Sequence, residues 1–160
     1  MLEYANAEEL TTRALEISLT VNGVTCTETW DIMDQLSDIY EYLAKYSESE
    51  AQYLKVIKMK ESKLSDASLS DEEIKALKKS IVGTRNDLAS LYDNLEKYDV
   101  AEALLSLCFE MNKDLFGPYH PDSILACHNL ACVLENLGNV EKSYDLYNES
   151  YRLNETSLGE

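Results

Sequence analysis

The sequence predicts an all-helical protein that is built from repeated pairs of helices. The 160-residue chain holds only five glycines and two prolines, too few for the many turns of a sheet protein. Its second half repeats with a period of 42 residues, because Leu88-Ala89 aligns with Leu130-Ala131 and similar side chains follow in register. Apolar residues within each copy recur at helical spacing. These observations favour a helical solenoid of about seven helices.

The repeat register sets the expected boundaries. We predict a single domain over residues 1–160, with a half copy at 1–22 and full copies at 23–62, 70–116 and 117–158. The predicted helices run over 3–21, 27–43, 47–62, 71–95, 98–116, 122–136 and 140–157.

Each full copy has two helices of different character. The first helix carries large apolar residues at helical spacing, such as Ile32, Met33, Leu36, Ile39, Tyr40 and Leu43. The second carries a small residue, Ala101 or Ser143, where two helix axes come close, with larger residues around it. Gly117 and Pro118 end one helix, and Pro121 suits the first turn of the next.

About ten residues are inserted between the first and second copies, in the region 62–80. Ser70 and Glu73 form a capping-box pattern there, which predicts a helix start at Asp71. The insertion therefore lengthens the first helix of the second copy. Gly83 lies inside that helix, either as a tolerated weak point or at a kink or close backbone contact.

Composition excludes several classes of protein. The formal net charge of −16 disfavours binding to nucleic-acid phosphates. No apolar run approaches the length of a membrane span, and the N-terminal residues show no signal-peptide pattern. The four cysteines form no C-x-x-C pair and suit reduced thiols. We therefore predict a cytoplasmic protein that contacts neither nucleic acid nor membrane.

The last copy resembles a known repeat family. Its segment 117–123, GPYHPDS, is followed by Asn129, Gly138 and Tyr147 at the spacing of the 42-residue tetratricopeptide repeats of kinesin light chains and nephrocystin-3-like proteins. The first copy has Ala44 where the last has the turn glycine Gly138. The resemblance implies a right-handed α-solenoid without catalytic chemistry. It also implies that first helices line a concave groove, in which such scaffolds bind peptides, often extended ones.

Four carboxylates share one face of the first helix of the first copy: Asp31, Asp34, Asp38 and Glu41. At about 100° per residue they fall within an arc of about 80°, opposite the apolar residues. They form either an ordinary solvated face or, as the resemblance implies, part of the groove. Like charges along a helix repel, and a ligand cation would relieve that repulsion.

The equivalent positions extend the candidate peptide-binding groove. The full set is Asp31, Asp34, Gln35, Asp38, Glu41, Asn86, Asp87, Ser90, Asp93, Asn94, Leu125, His128, Asn129, Glu135 and Asn136. It contains seven acids and neither lysine nor arginine. Kinesin light chains present a largely basic groove to acidic peptides. The opposite charge here predicts a Lys- or Arg-rich ligand, whose backbone the asparagines would bond. Trp30 is expected beside the acidic arc.

Catalytic patterns are sparse, and we predict a non-enzymatic protein without a cofactor or metal. His128 and Cys132 have the i,i+4 spacing of half a zinc site, but no further ligand completes it. Lys60 belongs to a group of lysines near the end of a helix, where cations suit the helix dipole.

An alternative function is a structural segment of a longer solenoid. Such a segment stacks or self-associates through its ends, because a truncated solenoid exposes apolar faces. The candidate end residues are Leu10, Leu15, Ile17, Tyr151 and Leu153.

Overall fold

Seven α-helices make up most of residues 2–158, the part of the chain that the computed structural model describes, and this part contains no β-strand. The helices are α1 (Leu2–Val21), α2 (Thr27–Tyr42), α3 (Tyr46–Lys63), α4 (Asp71–Asn94), α5 (Tyr98–Phe116), α6 (Pro121–Asn136) and α7 (Val140–Leu158). Each observed end lies within one residue of the predicted end, so the all-helical prediction is confirmed.

The described residues form two compact units, which divide between Leu91 and Tyr92, inside α4. In the first unit α1 packs on α2, and α2 packs on α3. In the second unit α5 packs on α6, and α6 packs on α7. Consecutive helices thus pack against each other within each unit, as expected for stacked helix pairs.

The turn inside each copy has the same backbone geometry, although its sequence differs. Ala44, Glu96 and Gly138 occupy equivalent positions and have positive φ angles of 57°, 58° and 77°. In each copy the amide of the following residue donates to the carbonyl five positions earlier, at 2.8, 2.8 and 2.9 Å. The turn therefore keeps its left-handed residue even where no glycine is present.

The inserted residues lengthen α4, as predicted. The Ser70 amide donates to Glu73 Oε2 at 2.8 Å, and the Glu73 amide donates to Ser70 Oγ at 3.3 Å, which completes the capping box. The α4 helix has 24 residues, against 16 in α2 and α6. A Cβ atom added at Gly83 would meet nothing within 4 Å, and α4 continues through this position. Gly83 is therefore a tolerated glycine without a close contact.

The core of the first unit includes residues on facing sides of α2 and α3. On α2, Trp30, Met33 and Leu36 are buried; on α3, Tyr53 and Val56 are fully buried. The Trp30 indole Nε1 donates to the Val24 carbonyl at 2.9 Å. The expectation that Trp30 lies beside the acidic arc is therefore wrong: its indole is part of the core, where the hydrogen bond to Val24 satisfies its one donor.

Small residues occupy the equivalent position in all three second helices, as the repeat predicts. Ser49, Ala101 and Ser143 are all buried. The Ser143 hydroxyl donates to the Ala131 carbonyl of α6 at 2.9 Å, whereas the buried Ser49 hydroxyl has no hydrogen-bond partner among the described residues. The same site in the repeat thus accepts a small side chain with or without a hydrogen bond.

Candidate functional site

The four predicted carboxylates of α2 do not share one environment. Asp31 and Asp38 are exposed, whereas Asp34 and Glu41 are half-buried. The helical period places them on the side away from the core, but Asp34 and Asp38 also bond to side chains of other helices. The four carboxylates therefore differ in their roles.

Asp34 belongs to a buried polar network that joins three helices. Lys60 of α3 is 1% exposed, and its Nζ donates to Asp34 Oδ2 of α2 and to Thr84 Oγ1 of α4, each at 2.7 Å. Thr84 Oγ1 donates in turn to Asp34 Oδ2 at 3.0 Å. Burial raises the pKa of Asp34, although the bonds from Lys60 and Thr84 oppose that rise. Asp34, Lys60 and Thr84 thus link α2, α3 and α4.

Asp38 accepts a hydrogen bond from a core tyrosine. Tyr53 of α3 is fully buried, and its hydroxyl donates to Asp38 Oδ1. Burial, followed by this bond to a carboxylate, raises the pKa of Tyr53, so the phenol stays protonated. Asp38 therefore satisfies a buried hydroxyl and still keeps an exposed surface.

Asp87 of α4 brings a further carboxylate to the same region. Desolvation by the surrounding helices, together with the negative charges of Asp38 and Asp34, raises the pKa of Asp87 to about 6. The residue nevertheless remains exposed at the surface. We call Asp31, Asp34, Asp38, Glu41 and Asp87 the acidic face of the first unit.

The neighbouring candidates on α2 and α4 differ in accessibility. Gln35 and Ser90 are exposed, and Asn86 is half-buried. The side-chain oxygen Oδ1 of Asn86 is buried and has no hydrogen-bond partner among the described residues. Gln35 and Ser90 are therefore uncharged candidate side chains of this region that are open to solvent.

The candidates in the second unit form two local groups. Asn136 Nδ2 of α6 donates to Asp93 Oδ1 near the end of α4 at 2.9 Å. Tyr147 of α7 donates to Glu135 Oε2 at 3.1 Å and lies against the His128 ring at 5.3 Å between centroids. The remaining candidates of this unit are the exposed Asn94 and Leu125 and the half-buried Asn129.

The structure gives His128 and Cys132 a packing environment around a tyrosine. Tyr147 packs against the His128 ring, and its hydroxyl lies 3.2 Å from Cys132 Sγ. The interaction with Cys132, followed by desolvation, raises the pKa of Tyr147. Within residues 2–158 no three His, Cys, Asp or Glu side chains are grouped as metal ligands, and no helix of that part is long and apolar enough to cross a membrane.

His120 caps a helix, as its place in the turn segment suggests. Its Nδ1 accepts from the Asp122 amide at 3.1 Å, and its ring stacks on Phe116 at 4.5 Å. The side chain thus satisfies one of the free amides at the start of α6.

Lys60 is the residue of this region that sequence reasoning misses. Its position near the end of α3 favours a role with the helix dipole, whereas its ammonium is buried against Asp34. The repeat register contains a signal: Lys60, Asn112 and Asn154 are equivalent, and each is polar. Asn112 is also buried, and its Nδ2 donates to the Asp122 carbonyl at 3.1 Å. At two of the three equivalent positions, Lys60 and Asn112, the polar residue is buried and bonds to another helix.

Known proteins resemble this chain in sequence pattern and in fold. Tetratricopeptide repeat models match residues 31–63 and 80–156, about two thirds of the chain together. BtubC (BKLC) from P. vanneervenii has a similar structure, with a TM-score of 0.78 and 18% identity over 99% of this chain and 59% of that one. A second similar structure is that of nearly identical TPR-like repeats from Podosopora anserina, described as those of a kinesin light chain. It matches this chain with a TM-score of 0.73 and 16% identity, over 94% of this chain and 66% of that one.

These comparisons establish the fold and the repeat type. The chain spans less than two thirds of the length of either similar structure. No curated protein sequence matches it significantly. The repeat models and the helix pairs agree with each other along the chain. The chain therefore belongs to the tetratricopeptide repeat proteins, whose repeats act as protein-interaction scaffolds.

Proposed function

We propose that this protein is a non-catalytic scaffold that binds a Lys- or Arg-rich peptide segment, and that the acidic face of the first unit is its main contact. Family membership supports the general role, because tetratricopeptide repeats bind proteins or peptides. The net charge of −16 supports a basic ligand and disfavours nucleic acid.

The observation that carries this proposal is the cluster of carboxylates on α2 and α4, of which Asp31, Asp38 and Asp87 are exposed. Desolvation, together with the repulsion of Asp38 and Asp34, disfavours the ionised form of Asp87 and raises its pKa to about 6. A lysine or arginine side chain placed beside Asp87 would remove part of that cost. A cation would therefore interact more favourably beside Asp87 than at an ordinary exposed carboxylate.

Lys60 offsets one of the charges on this face and leaves the others. Its ammonium is buried and bonded to Asp34, so a ligand cannot displace it without breaking the helix packing. Asp31 and Asp87 are exposed, and Asp38 keeps an exposed surface. The ligand cations would therefore contact Asp31, Asp38 and Asp87, whereas Asp34 serves mainly in the structure.

Uncharged groups complete the proposed interaction. Gln35 and Ser90 are accessible beside the acidic face and can bond to a peptide backbone. We assign the corresponding role in the second unit to Asn94, Asn129 and Asn136, together with the acids Asp93 and Glu135. Because Asn136 already bonds to Asp93, that pair would present one shared polar surface.

A structural role in stacking or self-association is the second candidate function. The observation that favours it is the set of exposed apolar residues on α1, where Leu10, Ile17 and Val21 are 67%, 59% and 74% exposed. Burial of such a stripe against another helix is favourable at about 25 cal/mol per Å² of apolar surface.

A peptide titration tests the main proposal. Basic, acidic and neutral peptides of equal length are titrated against the wild type, the double variant Asp31→Asn/Asp87→Asn and a charge-matched control, Asp99→Asn/Asp114→Asn. The control replaces two exposed acids of α5 and leaves the acidic face intact. Isothermal calorimetry is performed at about 0.1 M and about 1 M salt, which shortens the Debye length from about 10 Å to about 3 Å.

The expected result is micromolar binding of the basic peptide alone, corresponding to about −8 kcal/mol, with weaker binding at high salt. The double variant should lose most of this affinity, and the control should keep it. Equal binding of acidic and basic peptides, or an unchanged double variant, would show that the acidic face is merely solvated.

A further inference from the structure

A patch of apolar side chains lies exposed on α5, on the side of the helix opposite its buried residues. Val100 and Leu107 are each 44% exposed, and Ala103 is exposed between them. At about 100° per residue these three fall within an arc of about 60°, outside the arc that the buried residues of α5 occupy. We call Val100, Ala103 and Leu107 the outer patch of α5.

The other copies of the repeat show that helix packing does not require apolar residues at these positions. The residues equivalent to Val100 and Leu107 are charged and exposed in both α3 and α7. They are Glu48 and Lys55 in α3, and Lys142 and Glu149 in α7. In addition, α5 lies in the middle of the sequence, where α6 packs against it and leaves the outer patch exposed. An apolar patch that the repeat itself does not need is typical of a surface that binds another molecule.

The outer patch combines a small side chain with two larger ones. Ala103 lies about one turn after Val100 and one turn before Leu107. A small residue at such a place lets the axis of a second helix come close, and the larger side chains fit into the grooves of that helix. The half-buried Leu104 extends the apolar surface towards the core. The patch therefore suits a helix that places a large apolar side chain over Ala103.

Carboxylates border the outer patch on one side. Asp99, Glu110 and Asp114 fall within an arc of about 60° that overlaps one edge of the patch. Lys113 forms an ion pair with Glu110 at 3.2 Å, whereas Asp99 and Asp114 are exposed. A partner with lysines or arginines on the facing flank complements this edge. A second copy of this chain is disfavoured, because two molecules with a net charge of −16 repel each other.

We propose that the outer patch of α5 is a docking site for an amphipathic helix of a partner protein. The partner helix has apolar residues at i, i+3 or i+4, and i+7 on its contacting side, with lysines or arginines along one flank. Its apolar side chains pack against the outer patch, and its cations lie beside Asp99 and Asp114. This interaction differs from the one proposed for the acidic face of the first unit, because it needs an apolar strip as well as charge.

The test uses designed helical peptides of about 20 residues, long enough to cover the patch and its bordering acids. One peptide has a leucine strip with a lysine flank, one has the same strip with a glutamate flank, and one has the lysine composition with the strip scrambled. Binding is followed by fluorescence anisotropy, and the contact is mapped by amide chemical shifts. We expect the first peptide alone to bind and to shift the amides of α5.

The variant Leu107→Glu separates apolar docking from simple attraction between charges. An added acid strengthens a purely electrostatic contact with a basic peptide, but it removes the apolar contact proposed here. We therefore expect Leu107→Glu to weaken binding at least tenfold, and Leu107→Asn, which adds no charge, to weaken it as well. The matched control is Leu54→Glu on α3, because Leu54 is 48% exposed and its replacement should leave binding unchanged. The fold accepts glutamate at the position of Leu107, since Glu149 occupies it in α7, and circular dichroism checks that each variant keeps its helix content.

Two double variants distinguish this site from the acidic face of the first unit. Asp99→Asn/Asp114→Asn should weaken binding of the lysine-flanked helix several-fold, whereas Asp31→Asn/Asp87→Asn should leave it unchanged. The two variants have the opposite roles in the titration with extended basic peptides, so failure of one proposal is distinguishable from failure of the other.

Several results would overturn the proposal. Absence of binding by the lysine-flanked peptide, or wild-type binding in both Leu107→Glu and Leu107→Asn, would show that the outer patch binds no helix. Equal binding of the scrambled peptide would show that charge alone attracts it. Loss of binding in Asp31→Asn/Asp87→Asn would assign the peptide to the acidic face. Self-association in sedimentation that Leu107→Glu abolishes would assign the patch to a second copy of this chain.

Discussion

Replacement of Lys60 by methionine would test the buried network between α2, α3 and α4. Methionine keeps much of the aliphatic volume of Lys60 but removes the ammonium that bonds to Asp34 and Thr84. Removal of one partner from a buried ion pair costs about 3–5 kcal/mol. The Asp34 side chain is 21% exposed and keeps its bond from Thr84, so water and Thr84 compensate in part for the lost ammonium. We therefore expect the free energy of unfolding to fall by about 3 kcal/mol, the lower end of that range.

The assay is urea and thermal unfolding followed by circular dichroism. For a chain of this size, about 3 kcal/mol lowers the melting temperature by about 6–12 °C. The matched control is Lys58→Met, because Lys58 lies on the same helix but is exposed, and its loss should change stability by less than about 0.5 kcal/mol.

The pH dependence of Lys60→Met gives a second readout. Burial already raises the pKa of Asp34, and loss of the cation raises it further. A carboxyl whose pKa is higher in the folded state than in the unfolded state destabilises the protein as the pH rises above the unfolded-state pKa. The stability loss caused by Lys60→Met should therefore shrink on acidification towards pH 4. Lys60→Met/Asp34→Asn should recover much of the loss at neutral pH. Equal losses in Lys60→Met and Lys58→Met, or a defect that is independent of pH, would refute this account of the network.

Three further predictions concern single positions. Gly83→Ala should raise the free energy of unfolding in urea by about 0.5–1 kcal/mol, because Gly83 lies inside α4 and an added Cβ would have no atom within 4 Å. A loss of stability in this variant would contradict the prediction. Ser143→Ala should lower the free energy of unfolding by about 1 kcal/mol, because the hydrogen bond to α6 is lost. Ser49→Ala at the equivalent position should be neutral or stabilising, because the Ser49 hydroxyl has no hydrogen-bond partner among the described residues. Equal losses of stability in the two variants would contradict this difference in hydrogen bonding. Asp87 has a pKa of about 6 when folded, above the usual value of about 3.9, so wild-type stability should fall between about pH 4 and pH 6. Asp87→Asn should flatten this decline in urea unfolding over the same range, and an unchanged slope would argue against the raised pKa.

The helix boundaries could be predicted because they depend on local signals in the sequence. The 42-residue period places the helices, and the Ser70–Glu73 capping box marks the start of α4. Glycines, prolines and the repeat register fix the remaining ends to within one residue. These features act through neighbouring residues along the chain, so a periodic reading of the sequence captures them.

The site could be predicted only in part, because its properties depend on contacts between helices. The helical period places Asp31, Asp34, Asp38 and Glu41 on one side of α2. It does not show that Lys60, 26 residues away, is buried against Asp34. Trp30 shows the same limit, since its angle on the helical wheel is close to the acidic arc while its side chain is buried and bonds to the Val24 carbonyl. The geometry of α2 against α3 and α4 decides both cases.

The central claim is that a peptide cation binds beside Asp87, and the most direct measurement is the pKa of Asp87 with and without a Lys-rich peptide. The carboxyl carbon shift of Asp87, followed by NMR across pH 4–8, should give a pKa of about 6 in the free protein. A bound cation favours the ionised carboxylate, so saturation with the peptide should lower the pKa of Asp87 by about one unit or more. An Asp87 pKa that stays the same when the peptide is bound would contradict the claim.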